Sequence, residues 1–272
     1  MRDFMAKVVA VCLVVLVMTA MSCMACKKSS GQIVKRTQNV KYFNMVDLSG
    51  CVEVEFEQGT TPSARIEGNK KLVEKLQLKQ VGNRLVIGFK KGSNVKLFGN
   101  DKLKVYLTSP NLGAVALRGA SEFEVKGSLN TDELNVTVMG SGDAEFGKVQ
   151  CSNLSCVING SGDADFRSVN AKSSQVSING SGDVKLSVAN ATDARMVIAG
   201  SGEIKAKYSR CESVSCLVNG SGEIEAELVG CGDVKCNVNG SGEVKFKGDA
   251  NSLTKAVRGS GKINTHELKL AR

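Results

Sequence analysis

Six acidic residues recur at intervals of 20 in the second half of the chain, a spacing that could build a site for a divalent cation. Each follows a Gly-Ser-Gly tripeptide, and the six are Asp143, Asp163, Asp183, Glu203, Glu223 and Glu243. Ca²⁺ prefers carboxylate and carbonyl oxygens as ligands. Stacked one strand spacing apart, however, like charges repel by about 1 kcal/mol per pair in water. Lys185, Lys205 and Lys245 follow two positions later and relieve that repulsion. The repeat also lacks the nonapeptide pattern of calcium-loaded β-rolls, so we interpret the acids as a solubility feature and assign no metal ligands.

The cysteines follow the same period as the acids. Two sets share a position in the repeat: Cys151, Cys211 and Cys231, and Cys156, Cys216 and Cys236. Ala, Val or Met replaces them in other copies, which favours small side chains facing a core. Within these copies there is no Cys-x-x-Cys pair or nearby His, so a zinc site is not expected. An oxidising compartment would permit the bridges Cys211–Cys231 and Cys216–Cys236, but parallel neighbouring side chains give poor torsion angles, and we expect free thiols.

Charge and composition exclude further kinds of chemistry. The one histidine, His266, cannot supply several imidazole metal ligands, and we assign no catalytic residue and no cofactor. The net charge is +9, with 18 basic and 11 acidic residues in 23–139 but 11 and 14 in 140–249. A basic N-terminal half suits a membrane surface or an acidic glycan. Because aromatic side chains are not interleaved with the basic ones, nucleic acid is not an expected partner.

A repeat with this period predicts the elements that position these side chains. Gly-Ser-Gly recurs from Gly140 to Gly240 at a strict interval of 20, a seventh copy begins at Gly259, and fainter copies stand at Gly119 and Gly99. Between the glycines, apolar residues alternate with polar ones, as in half-buried strands. Two or three short strands in each copy would form one turn, here called a rung, of a parallel β-helix with adjacent rungs in register about 4.8 Å apart. The fold class is therefore all-β.

Smaller features of the repeat have structural interpretations. The glycines suit a corner that needs positive φ or close backbone approach. The amides that precede them are predicted to form a ladder along the axis, and these are Asn159, Asn179, Asn219 and Asn239. With no Trp, 3 Tyr and 9 Phe, the core is expected to consist of Val, Ile, Leu, Ala and Cys in thin layers.

The remaining chain is divided by its pattern into a leader, a tether and one domain. Residues 1–22 are typical of a lipoprotein signal peptide, and Thr19 to Cys23 resembles a lipobox, so Cys23 is the predicted lipid anchor, with Cys26 a second candidate. Residues 23–39 form a tether. Residues 40–272 form a single domain, with irregular rungs and a cap over 40–98 and regular rungs over 99–272. The stretch Lys70–Lys75 is the helical candidate.

Several segments together resemble the bacterial head GIN domain family of putative auto-transporter adhesins. They are Val46–Gly50, Val52–Val54, Gln58–Gly59, Leu85–Ile87, Tyr106–Leu112 and the Gly-Ser-Gly rungs, and the resemblance extends over about residues 40–265. It implies a right-handed β-helix shaped like the pectin lyases but without their catalytic residues. It also implies a role in cell adhesion.

The expected function is that of a non-enzymatic envelope lipoprotein, an adhesin or surface-binding module attached to the outer membrane by its lipid. Which face of that membrane it occupies stays open. A glycan or a host or matrix surface is the expected ligand. The alternatives are a polysaccharide lyase-like enzyme and a periplasmic scaffold. The last strand, with Leu268 and Leu270, has no capping helix after it in the sequence, so we also predict weak self-association through that end.

Overall fold

The chain is described by a computed structural model over residues 32–90, 92–93, 95 and 102–271. Over these residues it contains twenty-one strands and one short helix. The first ten strands are β1 (Ile33–Gln38), β2 (Met45–Gly50), β3 (Glu53–Gln58), β4 (Ser63–Asn69), β5 (Leu76–Val81), β6 (Arg84–Phe89), β7 (Leu103–Ser109), β8 (Ala114–Gly119), β9 (Glu122–Asn130) and β10 (Glu133–Gly140). The helix α1 (Lys70–Lys75) lies between β4 and β5, where the sequence predicts it.

The second half repeats one pattern of two strands in each rung. Its strands are β11 (Asp143–Gln150), β12 (Asn153–Gly160), β13 (Asp163–Asn170), β14 (Ser173–Gly180), β15 (Asp183–Ala189), β16 (Asp193–Gly200), β17 (Glu203–Ser209), β18 (Ser213–Gly220), β19 (Glu223–Gly240), β20 (Glu243–Arg258) and β21 (Lys262–Leu270). The long strands β19 and β20 each run unbroken around a corner. They therefore hold both strands of their rung.

Parallel pairing between rungs builds two sheets. The even sheet contains β2, β6, β8, β10, β12, β14, β16 and β18 and the second halves of β19 and β20. The odd sheet contains β3, β7, β9, β11, β13, β15 and β17, the first halves of β19 and β20, and β21. Residues 20 apart are register partners, as Gly140 and Gly160 show. The predicted parallel β-helix is confirmed as a β-solenoid of about eight turns with about 20 residues each.

The inward positions of both sheets meet in one apolar core. In β12, Leu154, Cys156 and Ile158 are buried, and the residues between them face outward. No rung can bury its own apolar face, so the stacking of rungs supplies the hydrophobic stabilisation.

Aromatic rings contribute more to this core than the composition predicts. Five phenylalanine rings form a row along the axis, with successive ring centroids 6.5, 6.4, 6.2 and 4.8 Å apart, and these are Phe43, Phe56, Phe123, Phe146 and Phe166. Phe43 meets Phe56 edge-on, whereas Phe146 and Phe166 are stacked face to face. The expectation of a core without large rings is therefore wrong, and Tyr208 and Phe246 are buried as well. Phe56, Phe146 and Phe166 share one inward position of the rung, whereas Phe123 occupies the neighbouring inward position, that of Ala144.

The corner glycines have the two properties expected of them: both glycines of each copy approach the neighbouring rung closely, and the first also has positive φ. Gly180 has a φ of +142°, and a Cβ there would lie 2.2 Å from the carbonyl oxygen of Gly160. Gly182 does not have positive φ, but its Cβ would lie 2.1 Å from the carbonyl oxygen of Gly162. Only glycine lets successive rungs approach this closely.

The N-terminal rungs do not stack in the order in which they occur in the chain. The β2–β3 rung lies between the β6–β7 rung and the β8–β9 rung, because β2 pairs with β6 and β8 while β3 pairs with β7 and β9. Antiparallel strands close the stack beyond it: β5 on β6, β4 on β7 and β1 on β4. The segment predicted to form regular rungs, residues 99–272, is therefore divided. Its first strand, β7, belongs to the terminal layer, and the regular ladder begins at β8.

The opposite end of the stack is open over the described residues. Leu253, Ile263 and Leu268 are partly buried against the core, whereas Val257 is 43% and Leu270 is 47% exposed. Self-association through this end stays a prediction.

Candidate functional site

The acidic residues form one column on the outer face of the odd sheet. Register pairs Asp143 with Asp163, and the column continues upstream through Glu122 to Glu53. The amide of Asp183 donates to the Asp163 carboxylate at 3.0 Å. The period of the repeat thus predicted the column, with Glu122 in the fainter copy that begins at Gly119, but not Glu53, which lies outside the copies.

Lysines neutralise the C-terminal part of this column. Lys205 pairs with Glu203 at 2.8 Å, and Lys245 pairs with Glu223 at 2.6 Å. Hydrogen bonds to these carboxylates raise the pKa of both lysines. Lys185, which was expected to act in the same way, has no ion pair among the described residues. Among the six acids of the Gly-Ser-Gly copies, lysine pairing therefore begins only at Glu203.

The acids do not converge on a point. They face outward from parallel strands, one on each rung, and their separation is set by the strand spacing. Within the described part of the chain no group of three or more His, Cys, Asp or Glu side chains is arranged to hold a metal ion. The column is accordingly a charged surface.

The repeat cysteines are buried free thiols, as their exchange with Ala, Val and Met predicts. Cys216 and Cys236 are register partners on neighbouring rungs. The neighbouring Cys236 thiol, together with burial, raises the pKa of Cys216. Burial alone raises the pKa of Cys156 to about 12. Thiols with raised pKa are poor nucleophiles, and these cysteines fill the core.

The predicted asparagine ladder is present, with one interruption. Asn179 donates to Asn159 at 2.9 Å and Asn239 donates to Asn219 at 2.8 Å. Ala199 occupies the intervening rung and breaks the ladder there.

A second amide column, which the sequence reasoning missed, marks the corner at which the odd sheet passes into the even sheet. Its members lie where the odd-sheet strands end: Asn130, Gln150 and Asn170 are the last residues of their strands, and Asn190 directly follows β15. Asn190 donates to Asn170 at 3.2 Å. Gln58 extends the column by exchanging two 2.8 Å hydrogen bonds with the backbone of Asn130. The period of the repeat, which these amides share, was the available signal.

A groove accompanies this corner along the axis. Near the N-terminal end it encloses about 450 Å³ between the amide column and a second row that contains Asp132, Ser152 and Lys172. Toward the C-terminal end a further depression of about 720 Å³ is lined by charged side chains, among them Arg210 and Asp233. The two depressions differ in character because Arg210 and Gly230 replace the amides of the earlier rungs.

A small cluster of charged side chains lies at the N-terminal end of the odd sheet. The Arg65 guanidinium stacks on the Tyr106 ring at 3.8 Å. Lys104 contacts both Glu53 and Glu55, and these hydrogen bonds outweigh burial and raise its pKa. Each charge in the cluster has a partner, which is typical of a structural surface network.

Two further predictions concern catalysis and membrane attachment. His266 is exposed on β21 and does not line either depression, although the end of the same strand lines the larger one. Cys23, Cys26 and the predicted leader lie outside the described residues. In the described part of the chain, no helix has the length and apolar character needed to cross a bilayer.

The fold and the outer columns define a parallel β-solenoid with repetitive, solvent-facing rows of side chains. The chain belongs to the family described as "Putative auto-transporter adhesin, head GIN domain", whose model matches residues 42–210 and again 209–272. The resemblance noted in the sequence is thereby confirmed.

Solved structures share this fold. A "putative adhesin" from Parabacteroides distasonis superposes with a TM-score of 0.78 at 22% identity, covering 87% of this chain and 98% of that chain. A "putative lipid binding protein" from the same species has a TM-score of 0.76 at 24% identity, with coverages of 86% and 96%. A "putative adhesin" from Parabacteroides merdae has a TM-score of 0.75 at 22% identity, with the same coverages. At these identities the likeness concerns the fold. Among curated proteins no match was found.

Proposed function

We propose that this chain is a non-enzymatic adhesion module of the cell envelope that uses its solenoid as a binding surface. The register of the outer columns carries the proposal. From Glu122 to Glu243 each rung presents a side chain at the same position, one strand spacing from the next. A ligand with repeating units can contact several rungs in the same way, and such multivalent binding suits attachment to a surface.

The regularity of the rungs also supports a role without catalysis. A polysaccharide-cleaving β-helix would need an acid cluster and a positioned Arg or Lys base in one groove, usually built from long, dissimilar loops. Between Gly140 and Gly240 the Gly-Ser-Gly corners keep one length, and the even-sheet ladders run without a register shift. The opposite corner varies by one or two residues and contains no long loop. Such a surface favours repeated weak contacts over one reactive centre.

We further propose that the module is attached to the outer membrane through a lipid on Cys23. The predicted tether, residues 23–39, is shortened by β1, because Ile33–Gln38 pairs with β4 and belongs to the domain. Two or three acyl chains hold a protein on a membrane far more firmly than one, at about 0.8 kcal/mol per buried methylene. The Cys23→Ala variant is expected to move from the membrane fraction to the soluble fraction and to lose incorporation of labelled fatty acid. Cys26→Ala is the matched control and should stay membrane-bound; the reverse pattern would move the anchor to Cys26.

Adhesion is tested with cells that carry or lack the chain. Cells expressing it should be retained on surfaces coated with mucin or matrix protein, and deletion should lower that retention. Protease added to intact cells should cleave the chain if it is displayed outside. A chain protected from protease, in cells whose attachment does not change on deletion, would refute adhesion and favour a periplasmic scaffold.

A further inference from the structure

The N-terminal half of the corner groove has the chemistry of a carbohydrate site. One wall is the amide column, in which each carboxamide offers two N–H donors and a carbonyl acceptor. Among the described residues, the side-chain amides of Asn130 and Gln150 make no hydrogen bond, and Asn170 uses only its acceptor, toward Asn190. These groups can therefore donate to, or accept from, the hydroxyls of a ligand.

The charge of this half selects the kind of ligand. The opposite charges of Asp132 and Lys172 cancel, and the other polar side chains that line the groove are amides and hydroxyls. An anionic polymer would find one cation there, too few for the phosphate or carboxylate contacts on which such binding depends. Aromatic and arginine side chains dominate protein interfaces. The described lining of this half contains neither, which disfavours a protein ligand.

The direction of the groove indicates the shape of the ligand. Its amides repeat once per rung, so the hydrogen-bonding groups form a line parallel to the solenoid axis. The groove encloses about 450 Å³ here, and the residues that line it belong to four successive rungs. An extended chain of similar units fits this arrangement better than a compact molecule does.

We propose that this amide groove binds a linear, uncharged glycan laid along the axis, with Gln150 and Asn170 donating to its hydroxyls. The proposal rests on the proposed adhesion function and names the ligand class and the site that would serve it. The more highly charged C-terminal half of the corner, with Arg210 and Asp233, is not part of this site.

The test compares glycan binding by the full chain with that of two variants. The double variant Gln150→Ala with Asn170→Ala removes two exposed amides from the wall. Gln175→Ala is the matched control, because this amide is also exposed but lies on the outer face of the even sheet. The probes are immobilised linear glucans, mannans and galactans, with polygalacturonate as the anionic comparison. Dissociation constants are measured by surface plasmon resonance, and circular dichroism melting checks the fold of each variant.

The full chain is expected to bind at least one neutral polymer. The double variant should bind it at least tenfold more weakly, since two hydrogen bonds are lost, and Gln175→Ala should bind it within about twofold of the wild type. Equal binding by the double variant overturns the site. Binding of polygalacturonate alone, or of no polymer, overturns the ligand class. None of these results bears on the adhesion proposal, which fails only if cell attachment is unchanged by deletion of the chain.

Discussion

Replacement of a corner glycine by alanine should measure how closely neighbouring rungs must approach. Gly180→Ala combines two penalties, because the residue has a φ of +142° and the new Cβ would lie 2.2 Å from the Gly160 carbonyl oxygen. That oxygen belongs to the backbone of the preceding rung, so the clash cannot be relieved by rotating a side chain. Relief requires the two rungs to separate at this corner.

Two other glycines separate these penalties. Gly230 has a φ of +62° with no atom within 4 Å of an added Cβ, so Gly230→Ala should cost about 1 kcal/mol through backbone strain alone. Gly182→Ala produces a 2.1 Å contact with the Gly162 carbonyl oxygen without positive φ, and about 3 kcal/mol is expected, the upper range for overpacking. Gly180→Ala should cost about 4–5 kcal/mol, among the largest effects of a single substitution.

Urea unfolding followed by far-ultraviolet circular dichroism gives the required comparison. Midpoints are converted to free energies of unfolding only if all variants share one m value, since a changed slope would mean partial unfolding of the array. The expected order of destabilisation is Gly180→Ala, then Gly182→Ala, then Gly230→Ala. A cost for Gly180→Ala no greater than that for Gly230→Ala would refute the argument that the stacking requires glycine at this corner.

Three further substitutions test the interior. Phe146 stacks on Phe166 with centroids 4.8 Å apart, so Phe146→Ala should lower the free energy of unfolding by about 3–5 kcal/mol in the same assay; a loss below about 1 kcal/mol would contradict tight packing there. The buried hydroxyls of Tyr208 and Ser174 lie 3.3 Å apart, so Tyr208→Phe should cost about 1–3 kcal/mol and the double variant with Ser174→Ala less than the sum of the single losses. Additive losses would mean that the two hydroxyls do not interact. Burial raises the pKa of Cys156 from 9.0 to about 12, so the folded chain keeps a proton that the unfolded chain loses above pH 9. Stability should therefore fall as pH rises from 9 toward 12, by up to about 2 kcal/mol at pH 10.5 from this thiol, and Cys156→Ala should show a correspondingly smaller fall; equal falls would show that the thiol is not the cause.

The repeat made much of the architecture predictable. A strict interval of 20 residues means that Asn159 and Asn179 occupy the same place on neighbouring rungs, so their hydrogen bond follows from the sequence once strands are inferred. The second amide column obeys the same interval. It was less evident because Gln150 varies the residue type and Arg210 ends the series.

The N-terminal rung order could not be derived in this way. Alternation of apolar and polar residues specifies which face of a strand is buried, but not which strand lies beside it. Met45 of β2 pairs with Arg84 on one side and Ala114 on the other, and no repeat links these segments. The row of phenylalanine rings was not predicted, for a related reason. Phe43 and Phe56 lie outside the regular copies, so their alignment with Phe146 depends on the same unpredicted order.

The antiparallel closure by β1, β4 and β5 has a consequence for how such proteins can diversify. A sealed end cannot accept another rung, so in-frame duplication of one repeat can extend the rod only within the ladder or on its far side. Because each added repeat preserves every column, such a duplication would lengthen the outer columns in equal steps. Copy number would thus set the length of the solenoid, while the antiparallel closure stays unchanged.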